Sequence, residues 1–213
     1  MNVTVFGATD AIGQQVVDRL RSDGHAVTAY VRNAGKVPAA WGPGVTVVVG
    51  EVTDGAAIDR AVTGADAVVS ALGPGMDRKA TGLPLVEGTR LIVEAMRQHG
   101  VRRYVGNATP SVLDPRERGT WQTRVPTFMA KRFLPRAYQE IVGMSRAVME
   151  SGLDWTIVRF LAPEDGPATG HVRHGFYGTD KLGFNVTRAD IAGFTAAQVD
   201  DPRYVGAAPG ISN

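Results

Sequence analysis

A chain of 213 residues with no cysteine excludes a disulfide framework, a thiolate metal centre and a cysteine nucleophile, yet it is long enough to bury one substantial core. Its 23 Lys and Arg against 21 Asp and Glu leave a net charge of +2, which gives no global reason to expect nucleic acid as a partner. No linker-like run divides residues 1–213, and no leader or apolar run of membrane-spanning length is present, so a single-domain cytoplasmic protein with no membrane partner is expected.

The first element is a β-rich run, Asn2 to Phe6, followed at once by Gly7-Ala8-Thr9-Asp10-Ala11-Ile12-Gly13 and an amphipathic helix with Ile12, Val16, Val17 and Leu20 on one face. Strand, glycine turn and helix together form a dinucleotide-binding opening. Gly7 permits the tight turn, Gly13 permits close helix–strand packing, and the free N–H groups and dipole of the helix start favour a pyrophosphate. The middle position of the turn, ordinarily glycine, is Asp10. A carboxylate about 5 Å from a phosphate at an effective dielectric near 20 is repelled by roughly 3 kcal/mol, so Asp10 is expected to face solvent or the helix N-terminus.

The next strand, Ala26 to Val31, ends in Arg32. A carboxylate there would bind the ribose 2′-hydroxyl of NAD, whereas a guanidinium suits the additional phosphate of NADP. Val45 to Val49 reads as the third strand, Ala56 to Val62 as a helix, and Asp66 to Leu72 as the fourth strand, closed by Gly73-Pro74-Gly75. A helix from Pro84 to His99 turns Val86, Leu91, Ile92, Ala95 and Met96 inward and stops at Gly100, and Arg103 to Gly106 is the fifth strand. Regular alternation of this kind predicts an α/β fold with a doubly wound parallel sheet.

After Thr109 the rhythm stops. Residues 112–136 carry Pro115, Pro126 and Pro135 with Arg116, Arg118, Arg124, Lys131, Arg132 and Arg136, and read as a solvated loop with a helix turn or as a mobile flap over the cofactor pocket. A helix from Tyr138 to Glu150 follows, ending at Gly152, and then a sixth strand from Trp155 to Phe160. Thr187 to Asp190 has capping-box spacing and starts the last large helix, through Ile191, Phe194 and Ala197. His171 and His174 are three apart but lack a carboxylate pair, and are expected to be exposed loop residues rather than metal ligands.

Several segments in order and spacing carry a resemblance that covers essentially the whole chain. They are Gly7-Ala8-Thr9 with Gly13, Val31-Arg32-Asn33 with Lys36, Gly50-Glu51-Val52, Ala71-Leu72-Gly73, and Ala95 to Val101. Ser151 to Arg159, Asp165 to Gly170, and Arg188-Ala189-Asp190-Ile191-Ala192 complete the set. The chain resembles the atypical short-chain dehydrogenases/reductases with an NAD(P)H-binding (NmrA-like) domain, in the branch of biliverdin-IX-beta and flavin reductases. The resemblance implies a Rossmann-type fold in which Gly7, Thr9, Ala11, Ile12 and Gly13 wrap the pyrophosphate and Arg32 with Lys36 holds the 2′-phosphate of NADP. It further implies Glu51 and Val52 beside the adenine, Leu72 and Gly73 under the ribose and nicotinamide, and Thr109 near the nicotinamide.

The pattern also departs from that of conventional short-chain dehydrogenases, whose Tyr-x-x-x-Lys pair exchanges a proton with an alcohol. Tyr138 is followed four residues later by Val142, and its helix holds no lysine. Tyr138 therefore reads as a packing or flap-edge aromatic, and alcohol oxidation by that route is disfavoured. Thr109, Ser111 and Tyr138 remain the candidate catalytic side chains. Phe160, where relatives commonly have proline, lies either beside the pocket or in the core. The expectation is an NADPH-dependent reductase passing hydride to a planar conjugated small molecule such as a flavin, quinone-like compound or tetrapyrrole. A redox-inactive NADP sensor and a non-redox isomerase or dehydratase are the alternatives. The sequence leaves the acceptor and the oligomeric state open.

Overall fold

The computed structural model describes residues 1–75 and 81–213. In chain order it comprises β1 (Asn2–Phe6), α1 (Ala11–Ser22), β2 (Ala26–Val31), β3 (Val45–Val49), α2 (Gly55–Val62), β4 (Ala67–Ser70), α3 (Pro84–Gln98) and β5 (Arg103–Ala108). It continues with α4 (Trp121–Phe133), α5 (Pro135–Met149), β6 (Asp154–Arg159), β7 (Ala162–Glu164), β8 (Arg173–Gly175), β9 (Asn185–Thr187), α6 (Arg188–Ala197) and β10 (Gly210–Ser212).

The strands of the main sheet run in the order β3-β2-β1-β4-β5-β6-β10-β8. All neighbours pair in parallel except β8, which lies antiparallel to β10 at the edge. The central strands are buried on both faces, and their side chains supply both layers of core. Val3 and Val5 of β1 point into a cluster with Val16, Val17 and Leu20 of α1 and Ile191 and Ala196 of α6. Phe6, Tyr30 and Val68 point to the opposite face, against Ile58 of α2, Ile92 and Met96 of α3, and Val148 of α5. The sheet is thus covered on both sides, and the order reverses between β1 and β4, the switch point of a doubly wound sheet. Among the described residues no helix is long and apolar enough to cross a membrane.

Several elements differ from the sequence expectation, each for a physical reason. β5 runs on through Asn107 and Ala108 because every residue from Arg103 to Ala108 has a partner on β6, and Gly106 is covered by the ring of Tyr104. In the small second sheet, three-residue strands β7 and β9 pair in parallel, too short to leave a periodic signal. Residues 112–136 are not a loop with one helix turn: thirteen of them form α4, with Pro126 inside it, and Pro135 starts α5 rather than interrupting it. Proline at the first helical position loses nothing, since that N–H has no partner within the helix. His174 is a strand residue rather than an exposed loop histidine, half-buried against Phe194 and bonded through Nδ1 to the Tyr204 hydroxyl at 2.7 Å. The last helix runs through Ile191, Phe194 and Ala197 as expected, with Ala197 exposed and Gln198 and Val199 buried at its end.

Candidate functional site

The residues singled out from the sequence stand at the carboxyl ends of adjacent parallel strands. Gly7 follows β1, Arg32 follows β2, Glu51 lies just past β3, Leu72 and Gly73 lie just past β4, and Thr109 follows β5. In an open α/β sheet this edge, at the switch point, is where ligands bind.

The glycine turn is built for close approach. Gly7 has φ +73°, in the left-handed region that favours glycine, and a β-carbon on Gly13 would lie 2.0 Å from the Gly7 carbonyl oxygen. The start of α1 is therefore drawn tightly onto the end of β1, and the Gln14 side-chain amide donates to the Thr9 carbonyl at 2.9 Å to fix the turn. Asp10 is the N-cap residue, exposed as expected, and its carboxylate makes no capping hydrogen bond. The first N–H groups of α1 are left without a side-chain acceptor, the arrangement that receives an anion. The protein mass on one side of Asp10 removes water and raises its pKa above the ordinary carboxylate value, while the charges of Arg32 and then Lys36 draw it down.

Arg32 and Lys36 are both exposed, the second in a 3-10 turn held by Asn33, whose side-chain oxygen accepts from the Gly35 N–H at 2.8 Å. The Glu51 carboxylate is exposed while its carbonyl accepts from the Tyr30 hydroxyl at 2.7 Å, which fixes the loop after β3. Val52 is wedged against α3: a β-carbon on Gly88 would lie 2.3 Å from the Val52 carbonyl oxygen. Leu72 packs on the core beside Gly73, around whose absent β-carbon no described residue lies within 4 Å.

Beyond β5, Thr109 and Ser111 share a turn in which the Ser111 N–H donates to Thr109 Oγ1 at 3.4 Å and the Val112 N–H to the Thr109 carbonyl at 3.1 Å. A lock that the sequence reading missed holds this loop. Arg159, at the end of β6 and fully buried, donates to the Val112 carbonyl at 2.7 Å and to the Glu117 carboxylate, with its guanidinium 5.4 Å from the Tyr177 ring. Glu117 also accepts the Tyr177 N–H at 3.2 Å. Burial raises the Tyr177 phenol to about 12, Arg159 opposing and Glu117 adding to the shift. The sequence signal was an arginine near the end of a largely apolar strand.

Tyr138 is joined to Lys131 of α4, whose ammonium lies 5.1 Å from the ring centroid. Phe160 is half-buried and packs against the core cluster that includes Ile191. Thr187 caps α6 as expected, accepting from the Asp190 N–H at 3.1 Å, and Asp190 sits in a net of donors of its own. A concavity of about 790 Å³ between α3 and α5, lined by residues such as Arg90, Glu94, Arg97 and Arg146, includes none of the strand-end residues.

This donor set fits a phosphorylated dinucleotide. The turn admits backbone approach where any β-carbon would collide, the helix start offers unfilled N–H groups, and two exposed cations stand one strand away. Comparison with known proteins agrees in kind. A family model described as NAD(P)H-binding matches residues 7–202. A Streptomyces 3-diazoavenalumate denitrifying reductase is 30% identical over 187 residues, covering 82% of this chain and 60% of its own length. The isoflavone reductase homolog IRL of Zea mays is 29% identical over 221 residues, covering 94% of this chain and 65% of its own length. The chain thus spans less than two thirds of the length of these curated relatives. Among solved structures, ChuY, an anaerobillin reductase from Escherichia coli, superposes with a TM-score of 0.80 at 19% identity over 100% of this chain and 97% of that one. A short-chain dehydrogenase/reductase from Veillonella parvula, solved in complex with NADP, gives a TM-score of 0.78 at 19% identity over 100% and 94% of the two chains. At such identities these structures speak to the fold alone.

Proposed function

We propose, for a chain that belongs to the NAD(P)H-binding family of atypical short-chain dehydrogenases/reductases, that it is an NADPH-dependent reductase of a planar conjugated small molecule. The observation that carries this reading is the placement of Arg32 and Lys36 beside the Gly7–Gly13 turn, at the ends of neighbouring strands β1 and β2.

When bound, the dinucleotide supplies a hydride from its nicotinamide ring. The chain supplies binding and orientation. Gly7, Thr9, Ala11, Ile12 and Gly13 hold the pyrophosphate against the start of α1. Arg32 and Lys36 hold the 2′-phosphate, and Glu51 and Val52 flank the adenine. Leu72 and Gly73 form a floor for the ribose and nicotinamide, the absent β-carbon of Gly73 leaving room. Thr109 and Ser111, fixed by the Arg159–Glu117 lock, present hydroxyls to the acceptor. With no lysine on the Tyr138 helix, the acceptor takes its proton from solvent, and the protein contributes chiefly positioning.

The test is NADPH consumption by the purified protein with FMN, a soluble quinone or a linear tetrapyrrole, for the wild type and Arg32→Asp. Turnover with at least one acceptor, lost in the variant, supports the proposal. Tight NADPH binding without turnover on any of them favours instead a redox-inactive NADP sensor, the reading to which Asp10 in the turn lends weight.

A further inference from the structure

Residues 118–133 hold four cations, Arg118, Arg124, Lys131 and Arg132, and no carboxylate. Helix α4 within this stretch is amphipathic in an inverted sense. Thr123 is buried, and Thr127 and Ala130 are half-buried, on the side that meets the body of the protein. Trp121, Val125, Phe128 and Phe133 are 54% to 65% exposed, and Met129 is 47% exposed. At about 100° per residue, Trp121, Val125, Phe128 and Met129 fall within an arc of about 100° whose centre lies roughly opposite Thr123. One exposed leucine needs no explanation, but five large apolar side chains on the outer face of one helix do.

We infer that α4 is an interfacial anchor that seats this face of the protein on a lipid bilayer containing anionic headgroups. The stripe lies along the outer face of a helix and is convex, whereas protein interfaces concentrate their energy where anchors enter pockets. A headgroup layer accepts a convex aromatic stripe and requires cations at its edges. On the same helical count Arg124 and Lys131 flank the stripe on one side and Arg132 falls within it, the Arg132 guanidinium 5.6 Å from the Phe133 ring and the Lys131 ammonium 5.1 Å from the Tyr138 ring. A second copy fits less well, because a twofold contact through α4 would set Arg124, Lys131 and Arg132 against themselves, and that helix carries no carboxylate to relieve them. The absence of a membrane-spanning run does not bear on this mode, which needs one apolar face and no crossing. The inference stands independently of the nucleotide reading.

The test is flotation of the full-length protein with vesicles of phosphatidylcholine alone and of phosphatidylcholine mixed with phosphatidylglycerol. The wild type is expected to float with the mixed vesicles, and more weakly as salt rises. Lys131→Gln with Arg132→Gln is expected to lower the partition by on the order of tenfold, and Phe128→Asp with Phe133→Asp to abolish it with an unchanged circular dichroism spectrum. The inference is overturned if the wild type stays with the aqueous phase, if it floats equally with neutral vesicles, or if the folded double aspartate variant floats as well as the wild type. It is also overturned if the wild type is a dimer by light scattering and that variant a monomer, which would assign the stripe to a second copy. Loss of turnover on a soluble acceptor in the variant, with no flotation of the wild type, would assign it to the acceptor.

Discussion

A β-carbon on Gly13 would stand 2.0 Å from the carbonyl oxygen of Gly7, whereas one on Gly73 would meet nothing within 4 Å among the described residues. The two glycines therefore make different predictions. Gly13→Ala must push α1 away from the end of β1, and overpacking against backbone is expected to cost about 1 to 3 kcal/mol, read as a lower midpoint in urea. Gly73→Ala is expected to leave stability within about 0.5 kcal/mol of wild type yet to weaken NADPH binding, because its methyl occupies the space assigned to the nucleotide. A Gly73→Ala protein with unchanged NADPH affinity would remove Gly73 from the proposed floor.

The exposed guanidinium of Arg32 predicts a separation of two cofactors that differ only in the 2′-phosphate. Losing a charge-assisted contact to that group, and placing a carboxylate there, is expected to cost about 2 to 3 kcal/mol, a weakening on the order of 100-fold. Titration calorimetry of Arg32→Asp should show this loss for NADPH and little change for NADH. Equal losses for both would mean that Arg32 does not read the phosphate.

The parts of this site visible in the sequence are those encoded locally. A glycine turn between a strand and an apolar-striped helix, a cation closing the next strand, and short apolar runs ending in Gly or Thr each declare themselves within a few residues. What the sequence concealed is non-local. Arg159 and Glu117 are 42 residues apart and meet only because β6 lies beside β5, so an arginine in an apolar strand gave no hint of its partner. The pairing of Lys131 with Tyr138 crosses from one helix to the next, where a spacing rule for residues on a single helix does not reach. Helix α4 was hidden by proline, whose usual meaning as a breaker was overridden when Pro126 was taken inside the helix and Pro135 opened the next one.

The Arg159–Glu117 pair is buried at both ends, so removing one partner leaves the other charged and without its counter-ion. Arg159→Met is expected to destabilise the protein by about 3 to 5 kcal/mol, while the double replacement Arg159→Met with Glu117→Leu should cost considerably less. A thermodynamic cycle over the two single variants and the double variant measures the coupling. If the effects of the two single changes simply add, the pair is not the lock that holds the loop bearing Thr109 and Ser111.

Asp190 gives a prediction in pH. It is 4% exposed, and although its burial alone would raise the carboxyl, it accepts from the Thr169 N–H at 3.0 Å, the Thr169 hydroxyl at 2.7 Å, the Asn213 amide at 2.8 Å and the Thr187 hydroxyl at 2.9 Å. These donors together outweigh burial and hold its pKa at about 2, against 3.8 unperturbed. A pKa lower in the folded state than in the unfolded chain means that the ionised carboxylate favours folding. This contribution is complete above about pH 5 and disappears as pH falls from about 4 towards 2, and a shift of this size corresponds to about 2 kcal/mol. An amide at this position cannot titrate, so the stability difference between wild type and Asp190→Asn in urea should shrink by about that amount between pH 6 and pH 2. A difference that stays constant over the range would show that the four donors do not hold an ionised carboxylate, and that the joint between residue 169, α6 and the chain's last residue is held by other contacts.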